Sequence, residues 1–146
     1  MLGDILARLS STLPTDRWAG VEIAEDIDAL TERAGQVATE LGTAIVMPWR
    51  ERADPNPLAT GGFRQRVEVQ FAVGAVVRLY DHLMGADRAL RFDALKSDVE
   101  AALAGWEPPT GSDPCELIGG EASPVETGVS IYVQTWATAR FLTGAQ

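Results

Sequence analysis

The sequence predicts one α+β domain, a mixed or antiparallel β-sheet with long hairpin strands packed against two main α-helices. Three observations predict it. Apolar residues alternate from Arg64 to Arg78, the period of a strand with one buried face. They alternate again from Val129 to Leu142. In Leu2 to Leu13 and from about Ala86 to Gly105 they recur at steps of three and four, the period of an amphipathic helix. The chain has 146 residues, near the commonest domain size, so residues 1–146 read as a single domain. A chain of this length buries roughly 70% of its unfolded surface, enough for one core.

Taken in order, Leu2, Ile5, Leu6, Leu9 and Leu13 form one helical face. Asp4 suits the positive end of that helix dipole, and Pro14 marks its end. Plain core packing accounts for the face. Arg17 to Ile23 predicts a short strand, with Trp18, Val21 and Ile23 apolar. Asp26 to Ala34 predicts a short helix capped by Asp26, with Ile27, Leu30 and Ala34 on one side. Thr43 to Met47 is rich in β-branched residues and predicts a buried strand, which Pro48 ends or places at an edge.

Residues 49–63, Trp49 to Phe63, hold Pro55, Pro57, Gly61 and Gly62 among several charges, so they read as an extended loop or hairpin tip. Unstructured loops this long are usually functional or disordered. The segment is either an arm that reaches a neighbour or a solvated excursion.

In the strand that follows, Val67, Val69, Phe71, Val73, Ala75 and Val77 share one face. The other face begins with Arg66, Glu68 and Gln70 and turns small at Ala72 and Gly74, so a helix or another subunit should cover its far end. The run spans roughly 45 Å, long for so small a domain. Tyr80 to Gly85 reads as a turn. Ala89, Phe92, Leu95, Val99, Ala102 and Leu103 then make a helical stripe that stops at Gly105 and Pro108-Pro109, with Trp106 folding back onto it. In the last run, Val129, Ile131, Val133, Ala137 and Phe141 oppose Tyr132, Trp136 and Leu142. Bulky apolar groups on both faces require a helix or a subunit contact on the second one.

Composition excludes several classes of function. The hydrophobic fraction is 46% and the charged fraction 23%, ordinary for a globular protein. No apolar run is long enough for a transmembrane helix, and Met1-Leu2-Gly3-Asp4 lacks the basic start of a signal peptide, so folding in a cytoplasm is expected. A net charge of −9 argues against tight binding to nucleic acid or to an anionic membrane, yet an acidic wall lets DNA pass without sticking.

Chemistry is sparse. Cys115 is the lone cysteine and His82 the lone histidine, so Cys115 reads as a small apolar residue on or beside a strand. A Cys115–His82 pair and an Asp81–His82 dyad are the weaker alternatives. Glu25, Asp26 and Asp28 lack a calcium-loop pattern and suit a helix N-terminus. Phosphate-binding glycine loops, nucleophile elbows and zinc motifs are missing. The expectation is therefore a non-enzyme with no catalytic residue, no cofactor and no metal.

Several pieces of the chain resemble phage tail terminator proteins. They are Arg64-Gln65-Arg66-Val67, then Ala102-Leu103-Ala104-Gly105-Trp106-Glu107-Pro108, then Glu116-Leu117-Ile118-Gly119-Gly120, and finally Thr138-Ala139-Arg140-Phe141-Leu142. The likeness covers roughly residues 40 to 142, and the most specific piece is Leu103-x-Gly105-Trp106-x-Pro108 followed by a Gly-Gly strand. It implies a small α+β subunit of a six-fold ring on the head-proximal end of a phage tail. That ring is expected to stop tube growth and to offer a docking face to the neck. Gene transfer agents carry the same role. The implied partners are other copies of the chain, the tail tube protein and a neck or head-completion protein, with DNA passing through the ring. The implied location is the virion, after assembly in a bacterial host cytoplasm.

On this reading the interface candidates are Arg50, Arg52, Arg64 and Arg66, facing acidic groups such as Glu25, Asp26 and Asp28 on a neighbour. Tyr132, Trp136 and Leu142 supply a second patch. The competing expectations are a neck or tail-completion adaptor and a small intracellular domain that holds a peptide or small ligand on an aromatic strand face.

Overall fold

The computed structural model describes residues 1–37, 41–58, 60–78, 85–124 and 129–144. The elements run α1 (Leu2–Thr12), β1 (Trp18–Ile23), α2 (Ile27–Gln36), β2 (Gly42–Ala53), β3 (Arg64–Arg78), α3 (Gly85–Leu103), β4 (Glu116–Pro124) and β5 (Val129–Thr143). The strands form one five-stranded sheet in the order β1-β2-β3-β5-β4. β1 and β2 are parallel and joined through α2, as a parallel pair requires a crossover. The other neighbours are antiparallel. The expected α+β fold is what forms.

Alternation along the strands assigns the two faces. α1 and α3 cover one face, where Ile5, Leu9, Leu95, Val99 and Leu103 pack on Val46, Phe71, Val73 and Trp136. α2 covers part of the other, where Leu30 and Ala34 pack on Ile45, Met47, Ala72, Val76 and Ile131. The far end of β3 is thus covered by a helix, as its small residues implied. Leu30 lies over Gly74, where a Cβ would stand 3.1 Å from Leu30 Cδ1. Asp26 caps α2, its carboxylate accepting from the Ala29 N–H at 2.8 Å. Ile27 departs from the expected buried stripe and is 46% exposed.

β2 is longer than expected. Pro48 does not end it, because the register slips between Pro48 and Arg50. A bulge tolerates a residue without an N–H. Trp49 is half exposed there, and pairing resumes to Ala53 opposite Val67. Residues 49–53 are therefore strand, and the loop shrinks to residues 54–63 at the tip of a β2–β3 hairpin. The tip is internally bonded, since Asn56 Oδ1 accepts from the N–H groups of Leu58 and Arg64.

The turn after α3 explains the most specific part of the sequence resemblance. Gly105 has φ 77, the left-handed region that favours glycine. Its N–H donates to the Cys115 carbonyl at 3.0 Å, and the Cys115 N–H donates to the Trp106 carbonyl at 2.8 Å. Trp106 folds back onto the core as expected, and it also meets α1, which was not expected. Arg8 stacks its guanidinium 5.5 Å from the Trp106 ring centre and donates to the Ala102 carbonyl at 2.9 Å. The Ser112 N–H then reaches the Ala139 carbonyl at 2.8 Å, which aims the chain along β5 to make β4. Cys115 is buried beside this strand, as a small apolar residue would be, and burial pushes its thiol up to about 11. His82, Asp81 and the expected turn from Tyr80 through Met84 lie outside the described residues.

Candidate assembly interface

The pairing register puts Arg50, Arg52, Arg64 and Arg66 on one face, the face that α2 partly covers. Arg50 opposes Gln70 and Arg52 opposes Glu68, while Phe71, one step on, belongs to the core under α1 and α3. The structure therefore brings these arginines together, but it does not leave them equivalent. Arg66 donates to Asp113 at 2.5 Å and lies 3.6 Å from Asp54. The Arg66 hydrogen bond holds the Asp113 carboxyl below its usual range. Because Asp113 precedes β4 on the far side of β5, this pair ties β3 across the sheet. Arg50 donates to Gln70 Oε1 at 3.0 Å. Arg64 stacks 3.9 Å from the Phe141 ring centre, which leaves its in-plane donors open. Arg52 is exposed and has no bonding partner among the described residues.

The second expected patch comes apart. Trp136 is fully buried in the core, in register with Phe71. An inter-subunit role for its side chain is thereby corrected: the bulky second face of β5 is covered by this chain's own helices. Tyr132 is only half buried, but α3 takes its ring, with Phe92 at 6.2 Å between centres and Lys96 Nζ at 4.9 Å. Leu142 alone of the three stays open, at 39% exposure near the hairpin tip.

Sequence reasoning missed the apolar part of the surface. α2 leaves uncovered a groove of about 510 Å³ on its own face of the sheet. Met47, Val133 and Thr135 line it together with Ile27, Trp49 and Ile118. Ile27, Trp49 and Ile118 are each about half exposed. Leu58 and Phe63 at the hairpin tip are also open and line a second groove of about 630 Å³. The available signal was an apolar residue where the local pattern calls for a polar one: at a helix start, at a bulge, or in a Pro-Gly loop.

Charge is polarised along this face. Glu25, Asp26 and Asp28 flank Ile27 and are exposed, and Glu121 lines the groove from β4. Toward the hairpin end Arg66 is paired with Asp113 and Asp54, Glu68 opposes Arg52, and Arg50 lines the groove itself, which leaves Arg52 and Arg64 as the open cations among the described residues of this hairpin. Among the described residues no cluster of His, Cys, Asp and Glu is placed to hold a metal ion, and no helix is long and apolar enough to cross a membrane. What this face offers is an open apolar groove, with exposed carboxylates at the start of α2 and the open cations Arg52 and Arg64 on the hairpin.

The family model for the phage tail terminator protein matches residues 2–145. This chain belongs to the phage tail terminator family. It is thus a structural protein of phage-type tails, a class that is not enzymatic. A solved structure described as the virion of a native gene transfer agent particle is similar in fold, with a TM-score of 0.50 and 13% identity. The similarity covers 96% of this chain and 84% of that one. No curated protein matches.

Proposed function

We propose that this terminator-family protein assembles into a closed ring, hexameric in the family's manner, that caps the head-proximal end of the tail tube. The ring ends tube polymerisation and presents a surface to the neck. The observation that carries this reading is the polarised face itself. A surface with open cations at Arg52 and Arg64 and exposed carboxylates at Glu25, Asp26 and Asp28 suits repeated head-to-tail contact, in which one patch meets a different patch on the next subunit. Exposed apolar residues, Ile27 and Ile118 at one end and Leu58 and Phe63 at the other, add to that contact. The hairpin that carries Arg52 and Arg64 extends beyond the helices and can reach a neighbour or the tube.

Electron microscopy of particles from a strain lacking this gene tests the proposal. Overlong, headless tubes support it. Tails of normal length that fail to join heads move the role to a neck adaptor. Normal infectious particles refute both, and leave the small-ligand domain as the reading to pursue.

A further inference from the structure

We infer that the groove between the start of α2 and β4 is the receptor for the β2–β3 hairpin tip of a second copy of this chain. This rests on the ring reading and deepens it by naming which surfaces meet. The occupant follows from complementarity on both counts, apolar and ionic. The groove presents Ile27, Ile118, Met47 and Val133, with Glu121 on its β4 side, Arg50 bonded to Gln70 on its hairpin side, and the exposed Asp28 next to Ile27 in sequence. The tip presents Leu58 and Phe63, 45% and 43% exposed, between Arg52 and Arg64. Arg52 and Arg64 of the tip thus match Glu121 and the acidic start of α2, while Arg50 inside the groove is held by Gln70. The tip is also held ready by Asn56 and by the Gly144 N–H, which donates to the Phe63 carbonyl at 3.3 Å. A preordered tip loses little entropy on docking.

The tip cannot fill its own groove. Arg64 pairs with Thr143, whereas Trp136 pairs with both Phe71 of β3 and Leu117 of β4. Within one chain, residues 63 and 118 are therefore separated along the sheet by roughly 25 Å of strand. A disulfide requires Cα atoms within about 7 Å. Any link between the two positions joins two chains.

Phe63→Cys and Ile118→Cys in one chain, oxidised in purified particles, give the test. Both sites are exposed, and the native thiol Cys115 is buried. The expected result is a ladder of multimers of this chain on a non-reducing gel. Particles that mix the two single variants should yield dimers only. Absence of the ladder in particles that contain the protein overturns the docking and leaves the ring reading standing. A cross-link to a different protein overturns the second copy as the occupant. Absence of the native chain from particles, checked alongside, overturns both.

Discussion

The hydroxyl of Tyr132 lies over the bare Cα of Gly120: a Cβ at that glycine would stand 2.6 Å from the oxygen and 2.8 Å from the ring edge. Phe92 and Lys96 of α3 hold the ring in place, so it has little freedom to retreat. The second glycine of the Gly-Gly pair is thereby a packing requirement, and Tyr132 is a clamp between α3 and β4. Gly120→Ala should destabilise the fold by about 1–3 kcal/mol. Gly119→Ala should change little, since nothing lies within 4 Å of a Cβ there. Denaturant unfolding of both variants checks the contrast. Adding Tyr132→Leu to Gly120→Ala should recover part of the loss, the mark of a direct coupling.

Asp98 of α3 ties the helix to the start of β1. Its carboxylate accepts from Arg17 Nε and Nη2, both at 2.7 Å, and from Trp18 Nε1 at 2.9 Å. The Arg17 hydrogen bond, aided by Trp18, holds the carboxyl below its usual range against the opposing effect of burial. A depressed carboxyl adds stability that is complete above its unfolded value, about pH 4, and lost as pH falls through the folded one. Asp98→Asn should cost about 1–3 kcal/mol at pH 7. The gap from the native chain should shrink as urea unfolding is repeated at progressively lower pH. A gap that held constant down to pH 2 would contradict the linkage.

Charge reversal separates the arginines by role. Arg52→Glu together with Arg64→Glu should leave the unfolding midpoint within about 1 kcal/mol of the native protein, because neither holds an ion pair among the described residues. It should nonetheless abolish incorporation into particles. Arg66→Glu should lower the midpoint more than those two do, since it sets a carboxylate against Asp113 and Asp54. Normal incorporation of the Arg52/Arg64 variant would remove these residues from the interface.

Cys115 should resist thiol reagents at neutral pH. Burial moves its thiol to about 11, so the thiolate is scarce in the folded state. Because that value is raised, its contribution to stability is full below the unfolded cysteine range, near pH 8.5, and is lost as pH rises toward 11. Labelling with an aromatic disulfide should be slow in buffer and fast in denaturant.

Replacing Trp136 tests the corrected assignment. The side chain is fully buried and its indole N–H has no partner among the described residues. Trp136→Ala should cost about 3–5 kcal/mol. Any assembly defect in this variant should track its unfolding curve rather than appear in a folded protein.

The sequence by itself determined the element order, the alternation that buries Phe71 and Val73, the Asp26 cap and the stop at Gly105. Each follows from a local rule: a period, a missing Cβ, or a side chain that reaches its own helix end. It grouped Arg50, Arg52, Arg64 and Arg66 as one cluster, but it read Arg50 and Arg52 as loop, and the β2–β3 register is what puts the four on one face. Only the tertiary structure decided which faces stay open. Trp136 and Tyr132 looked like surface because a strand pattern does not say whether its second face meets a helix of the same chain or a neighbour. Ile27 looked like core and Trp49 like loop, because burial depends on where α2 stops across the sheet and pairing depends on where β2 bulges. The distinction between Arg66, bound to Asp113, and Arg52, left open, is likewise a matter of what lies across β5. Local periodicity records which side of an element is apolar; only packing of distant segments records what covers it.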